Sequence, residues 1–356
     1  MKRAYTLCQS TQLYYEDSGV PDSAPTDYKT LVIVHGTMFN GGIFKRILPF
    51  ASHNKARVIL VNQRDYQHST PFNKEELEAL TSHNKDQQDS FIRDRVRELA
   101  NCLIWLIEHE DIPPISSDRK TGGLAVIGWS SGNCLMFPFL ALSDEVISDK
   151  NQKDVLSKNI RAVVIYEAAG LAWGLPSPPS VEDLALTYEM FGPLVGAYFD
   201  HRPEILDYLE SPSLDKFTTD DEVHSVLSYM PATDRTPTMD RVPAEILSEV
   251  AEPPETFYRS MIPVLILNSE LYRSYATLAV RAGAFPNAPV EVVVCGRSLA
   301  NIVHGAYRFQ RDLLEDRLVR KIENQRKTSF HVWREFNHCP QWDEPGKFIE
   351  LMTDVA

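Results

Sequence analysis

The chain has 356 residues, 49 acidic against 36 basic, and a formal net charge of −13. That acidity argues against a nucleic-acid partner, which calls for a basic stripe, and no apolar run approaches the roughly 18 residues needed to cross a bilayer. With 43% hydrophobic and 24% charged residues the composition is globular, and the length suits one α/β domain carrying an inserted subdomain.

The N-terminus has no apolar core of the kind a secretory signal needs, so the expected compartment is the cytoplasm. Residues 5–7 and 12–16 read as a short hairpin, followed by a turn-rich stretch over 17–25. Residues 31–34 form a buried strand running into His35-Gly36; 41–51 read as a short helix and 58–61 as a second buried strand. Over 91–108 the apolar residues Ile92, Val96, Leu99, Leu103 and Leu106 recur at helical spacing, which predicts one long amphipathic helix. Residues 124–128 are a strand, 134–142 a helix and 162–166 a further strand. Strands alternating with helices, several of them continuous apolar runs, predict an α/β chain with a doubly wound, mainly parallel sheet.

The alternation stops at Ala168. Residues 171–260 show no clear strand and hold eleven prolines, from Pro176 to Pro254, so short helices joined by stiff turns are expected. This segment carries 17 acidic and five basic residues, nearly all of the net charge. Strands are expected to resume at 263–267. That makes 1–170 and 261–356 the core and 171–260 a helical cap inserted over the sheet edge. Residues 290–294 are another strand candidate. The stretch 299–327 reads as a further insertion with a basic, solvated helix (Arg308, Arg311, Arg317, Arg320, Lys321). A late strand at 330–333 precedes the final helix.

The feature richest in chemistry is 124–132, Leu-Ala-Val-Ile-Gly-Trp-Ser-Ser-Gly, an apolar strand that breaks into G-x-S-x-G and continues as a helix. This places Ser130 at the tip of a strand-to-helix turn, exposed to substrate and followed by the N–H groups of a helix start. A serine hydroxyl needs a base to take its proton, and histidine suits the role near neutral pH. Of ten histidines, His338 stands in Trp-Arg-Glu-Phe-Asn-His-Cys-Pro-Gln-Trp-Asp-Glu-Pro, between the last strand and the final helix.

On these segments the chain resembles the α/β-hydrolase superfamily over nearly its whole length, in the serine-hydrolase branch that includes capped fungal esterases and lactonases. Leu-Tyr-Tyr-Glu-Asp-Ser-Gly (13–19) looks like the opening strand. Val-His-Gly-Thr-Met-Phe-Asn-Gly (34–41) looks like the turn that supplies an oxyanion donor. Asn-Gln-Arg-Asp-Tyr-Gln-His-Ser (62–69) is a divergent version of the D-x-R-G-x-G-x-S loop, and Asn-His-Cys-Pro-Gln-Trp-Asp-Glu-Pro resembles the G-H-x-x-x-x-E-x-P end motif. The resemblance implies Ser130 as nucleophile and His338 as base, with His35 and His304 structural or incidental.

The acid departs from the usual pattern. The family's aspartate would follow a strand at 263–267, yet the sequence there is Asn268-Ser269-Glu270-Leu271-Tyr272. Two carboxylates can substitute: Glu167, which ends the preceding apolar strand, and Glu270. Glu167 is favoured, because an unpaired charge at a strand end is costly to bury and a histidine partner would explain it. Fungal lactonases of the zearalenone-degrading kind resemble this arrangement, with a glutamate after the sixth strand.

The oxyanion donors expected are the backbone N–H groups of Ser131 and Thr37, with Met38 as the alternative to Thr37. Trp129 and Trp173 are candidate pocket residues among the aromatics flanking the serine and filling the cap. The expected partner is therefore an uncharged, fairly hydrophobic ester or lactone, cleaved through an acyl-enzyme. Acyl transfer or C–C bond hydrolysis on the same residues, or a non-catalytic ligand-binding role, are the alternatives. The sequence shows no metal-ligand cluster and no phosphate loop, so no metal or cofactor is expected. Five widely spaced cysteines read as buried thiols.

Overall fold

A computed structural model of the chain describes residues 2–8, 11–22, 24–175, 187–265, 267–281, 283–315 and 325–356. Strands β1 (Lys2–Cys8), β2 (Thr11–Asp17), β3 (Lys29–Val34), β4 (Ala56–Val61), β5 (Leu124–Trp129), β6 (Ile160–Tyr166), β7 (Val290–Cys295) and β8 (Thr328–Trp333) form one sheet. Their spatial order is β1-β2-β4-β3-β5-β6-β7-β8. The first two make the hairpin, and β2 runs antiparallel to β4; every later neighbour is parallel.

Strands β4 to β7 are buried at every position, as a parallel sheet covered on both faces requires. Side chains alternate between two cores. Val32, Val34 and Val126 pack beneath the helices Lys85–His109 and Asn133–Val146, while Leu31, Ile33 and Ile127 face Phe44, Phe348 and Ile349 on the other side. The stripe Ile92, Val96, Leu99, Leu103 and Leu106 is buried, as its spacing predicts.

Two expectations are corrected. Residues 263–267 are not a strand: the helix Pro254–Leu265 runs into this stretch, and among the described residues no strand lies between β6 and β7. A short apolar run reads alike as strand or buried helix, and Phe257 and Met261, one helical turn apart, are both buried. The next helix, Ser269–Ala279, buries Leu271, Tyr272 and Tyr275 in the sheet core, so the chain returns to the sheet near 268 rather than 261. Within 299–327, the described helix is also not a solvated insertion. This helix, Ala300–Leu314, connects β7 to β8 and buries Val303 and Phe309, with Phe309 against Trp173 and Phe330. Arg308 and Arg311 pair with Asp220 and Glu315, at 2.6 and 2.5 Å; Arg317, Arg320 and Lys321 lie outside the described residues.

Residues 187–260 form short helices, among them Tyr188–Val195, Pro203–Glu210, Asp220–Val226 and Ala244–Val250. They are tied to loops at the C-terminal ends of the parallel strands. Phe39, after β3, bridges Ala251, and Phe199 N–H donates to the Arg297 carbonyl after β7. Asn337, after β8, donates to Gly196 O and Thr238 Oγ1, both at 2.8 Å. No described helix is long and apolar enough to cross a membrane. Cys134, Cys295 and Cys339 are free thiols, and all three are buried, as is Cys102.

Candidate active site

Strand β5 ends at Trp129, and the chain turns into helix through Ser130, whose φ of 55° is left-handed. A non-glycine residue held there costs about 1–3 kcal/mol and persists only where its surroundings fix it. Two glycines do the fixing. A Cβ on Gly132 would lie 2.6 Å from the carbonyl oxygens of Val34 and His35, and one on Gly36 would lie 2.7 Å from Ser130 Cβ. Their missing side chains let the elbow press onto the turn after β3. There the Thr37 hydroxyl donates to Ser131 Oγ at 2.8 Å. Met38 follows with φ 71°, in a tight turn closed by Phe39 N–H on the Thr37 carbonyl at 2.9 Å. Asn133 Nδ2 donates to the carbonyls of Ser130 and Tyr166, at 2.9 and 2.8 Å, joining the elbow to the end of β6.

Glu167 is the next residue after Tyr166, also left-handed at φ 55° and with no exposed surface. Its Oε2 meets His338 Nδ1 at 2.9 Å and also accepts from the Ser298 hydroxyl; its Oε1 accepts from Cys295 N–H at 2.6 Å. A buried carboxylate is costly unless its oxygens find donors, and three are supplied. Trp129 stacks on the imidazole at 5.0 Å between centroids and donates its indole N–H to the His338 carbonyl at 3.1 Å. Among the described residues the Ser130 hydroxyl donates no hydrogen bond to that ring; such pairs are often long in unliganded sites and tighten when substrate binds.

Beside Ser131 lies a cavity of about 120 Å³, walled by Val34, Phe91, Leu99, Leu135 and Tyr272, with Tyr66 and Ser260 also lining it. The Tyr66 hydroxyl donates to Gly36 O at 3.1 Å and its ring lies 4.2 Å from that of His35. Burial raises the Tyr66 phenol above its ordinary range. At the far end, Arg64 and Arg95 share Glu76 and Glu98 in a closed ion network.

Three solved structures resemble this one along their full length. A 2-hydroxy-6-oxo-6-phenylhexa-2,4-dienoate hydrolase from Rhodococcus sp. strain RHA1 matches with TM-score 0.53 and 13% identity, covering 100% of this chain and 98% of that one. A proline iminopeptidase from Mycobacterium smegmatis matches at 0.52 and 14% over 99% and 97%, and a bromoperoxidase from Bacillus anthracis at 0.51 and 15% over 100% and 99%. The chain has the α/β-hydrolase fold. No family model and no curated protein matches the sequence.

Within this α/β-hydrolase fold the structure brings Glu167 and His338 together and sets Ser131 beside Thr37. Glu270 is elsewhere. Its side chain is 82% exposed and its nearest charge is Lys85 at 3.7 Å, because residue 270 opens a helix that packs on the sheet instead of ending a strand. Neither tryptophan lines the cavity beside Ser131, and both are about 1% exposed. Trp129 packs on His338, and Trp173 is wedged against Phe137 and Phe309. His35 is structural. Its Nε2 accepts from Gln63 N–H at 3.0 Å and its Nδ1 donates to Gly36 O, while burial lowers its pKa to about 4. Burial likewise lowers His304 to about 4.

Sequence reading missed Ser298, Asn133 and Tyr66. Asn133, three residues past the serine, carries a weak cue as a polar residue at the start of an apolar helix. Ser298 carries none. The divergent loop is explained by packing: Asp65 takes the left-handed position at φ 72° where the resembled motif has glycine, a conformation aspartate tolerates. Its carboxylate accepts from Phe72 N–H at 3.3 Å and pairs with Arg259 at 2.5 Å.

Proposed function

We propose that the protein is a serine hydrolase that cleaves a carboxylic ester or lactone of a fairly hydrophobic small molecule. The observation that carries this reading is the Glu167–His338 pair at 2.9 Å, both members buried, beside a strained serine elbow.

Glu167 engages Nδ1 and so leaves Nε2 as the nitrogen that takes the Ser130 proton. The Ser130 oxygen then attacks the acyl carbonyl. Negative charge on the carbonyl oxygen is met by the N–H groups of Ser131 and Thr37, with Met38 as the alternative to Thr37. The protonated His338 gives its proton to the leaving alcohol, and the acyl group stays on Ser130. Water, activated by the same imidazole, releases the acid and restores the serine.

The apolar cavity beside Ser131 supports an uncharged, apolar group at this position, since the charges at its end are already paired with each other. The segment 171–260, tied to the loops at the strand ends, is proposed as a cap over the site, extending to about residue 265. Burial pushes Cys134 up to about 12 and raises Cys295 and Cys339 well above the ordinary thiol range, so none competes as a thiolate nucleophile.

Hydrolysis of a panel of aryl esters and macrolactones by the wild type and by Ser130→Ala tests the reading. Turnover of at least one class, abolished in Ser130→Ala, is expected. Turnover that survives the substitution refutes it.

A further inference from the structure

Glu167 Oε2 receives two donors, and the mechanism above uses only His338. The other is Ser298, fully buried just after β7. The Ser298 carbonyl accepts from His201 Nε2 at 2.7 Å, and His201 Nδ1 accepts Ser228 N–H at 3.0 Å. An Nδ1 that accepts leaves Nε2 to carry the hydrogen, so the backbone fixes this tautomer. His201 belongs to a segment that also grips the residue before Ser298: Phe199 N–H bonds Arg297 O at 3.0 Å, and the Arg297 guanidinium reaches Asp200 at 2.6 Å and Asp234 at 3.0 Å.

We propose that Ser298 is a positioning residue for Glu167, held in place by His201, so that docking of residues 199–234 sets the orientation of the His338 base. This rests on the Ser130–His338–Glu167 reading. Cys295 N–H anchors Oε1, but one anchor leaves the carboxylate free to rotate about it. The Ser298 hydroxyl supplies the second point that defines its plane, with Oε2 aimed at Nδ1.

The test is ester hydrolysis by Ser298→Ala, Ser298→Thr, His201→Ala and the Ser298→Ala/His201→Ala double variant, each checked for folding by thermal unfolding. Ser298→Ala lowers kcat about 10- to 100-fold, the value of one hydrogen bond to a charged group, with KM changed less than about twofold. Ser298→Thr, which keeps the hydroxyl, recovers most of that loss. His201→Ala lowers kcat by less, and the double variant is no slower than Ser298→Ala alone, because His201 acts through Ser298. Should Ser298→Ala fail to fold, Ser298→Cys, with its weak S–H donor, takes its place and lowers kcat more than Ser298→Thr does, and a wild-type kcat in Ser298→Cys overturns the proposal. Full kcat in Ser298→Ala, or losses that multiply in the double variant, overturns the proposal. Full activity in Ser130→Ala refutes the underlying triad instead.

Discussion

Glu167 and His338 stand 171 positions apart in the chain and 2.9 Å apart in space, on either side of β7. The carboxylate ends β6, the imidazole follows β8, and the Cys295 N–H at the end of β7 holds the near oxygen. This pairing gives a direct expectation for the acid. Glu167→Gln keeps the shape but presents the wrong partner to Nδ1, so kcat falls by about 10⁴, the cost of the corresponding change in the serine-protease template. Glu270→Gln, on an exposed helix start, leaves kcat unchanged. Steady-state kinetics on both variants checks the assignment.

Trp129 holds His338, the proposed base, through a stack and a hydrogen bond to its carbonyl. Trp129→Phe keeps a ring but loses the indole donor. The expected result is a kcat lowered about tenfold, the value of roughly one neutral hydrogen bond, with KM unchanged because the ring does not line the cavity.

Gly132 is where a methyl group has no room. In Gly132→Ala the new Cβ meets two backbone oxygens at 2.6 Å, and backbone yields less readily than a side chain. The variant is expected to lose about 1–3 kcal/mol in urea unfolding, the usual cost of overpacking. It also loses hydrolysis, because the elbow must move away from Thr37.

His35 makes stability depend on pH. Its pKa falls from 6.5 to about 4 on folding, through burial. The unfolded chain therefore binds the proton first as pH drops. The stability that neutral His35 contributes is complete above about pH 6.5 and is lost between 6.5 and 4, up to about 3 kcal/mol. Urea unfolding of wild type and His35→Gln across that range should show the gap between them narrowing as pH falls; a constant gap contradicts the assignment.

Much of this architecture is legible in the sequence, and the failures have physical causes. The runs at β3 to β6 read correctly because strands buried on both faces are apolar throughout, and the helix Lys85–His109 because its stripe repeats at 3.6 residues. The run at 263–267 misled because apolarity without period does not separate a strand from a buried helix. That error gave Glu270 its standing as an alternative acid. Glu167 was legible through the cost of an unpaired charge at the end of an apolar strand. Ser298 was not, since a serine after a strand is ordinary and its role exists only where three chain segments meet. That Trp129 and Trp173 do not line the cavity beside Ser131 has a related reason: an aromatic beside a serine turn, or in a cap, packs into a core as easily as into a pocket.

The most direct measurement is mass spectrometry of the protein after treatment with a fluorophosphonate, with the adduct mapped to its peptide. A single adduct on Ser130, formed quickly in the wild type and at least a hundredfold more slowly in His338→Gln and Glu167→Gln, is the predicted result. No adduct on folded wild-type protein, or an equal rate in all three, would contradict an activated serine at this site.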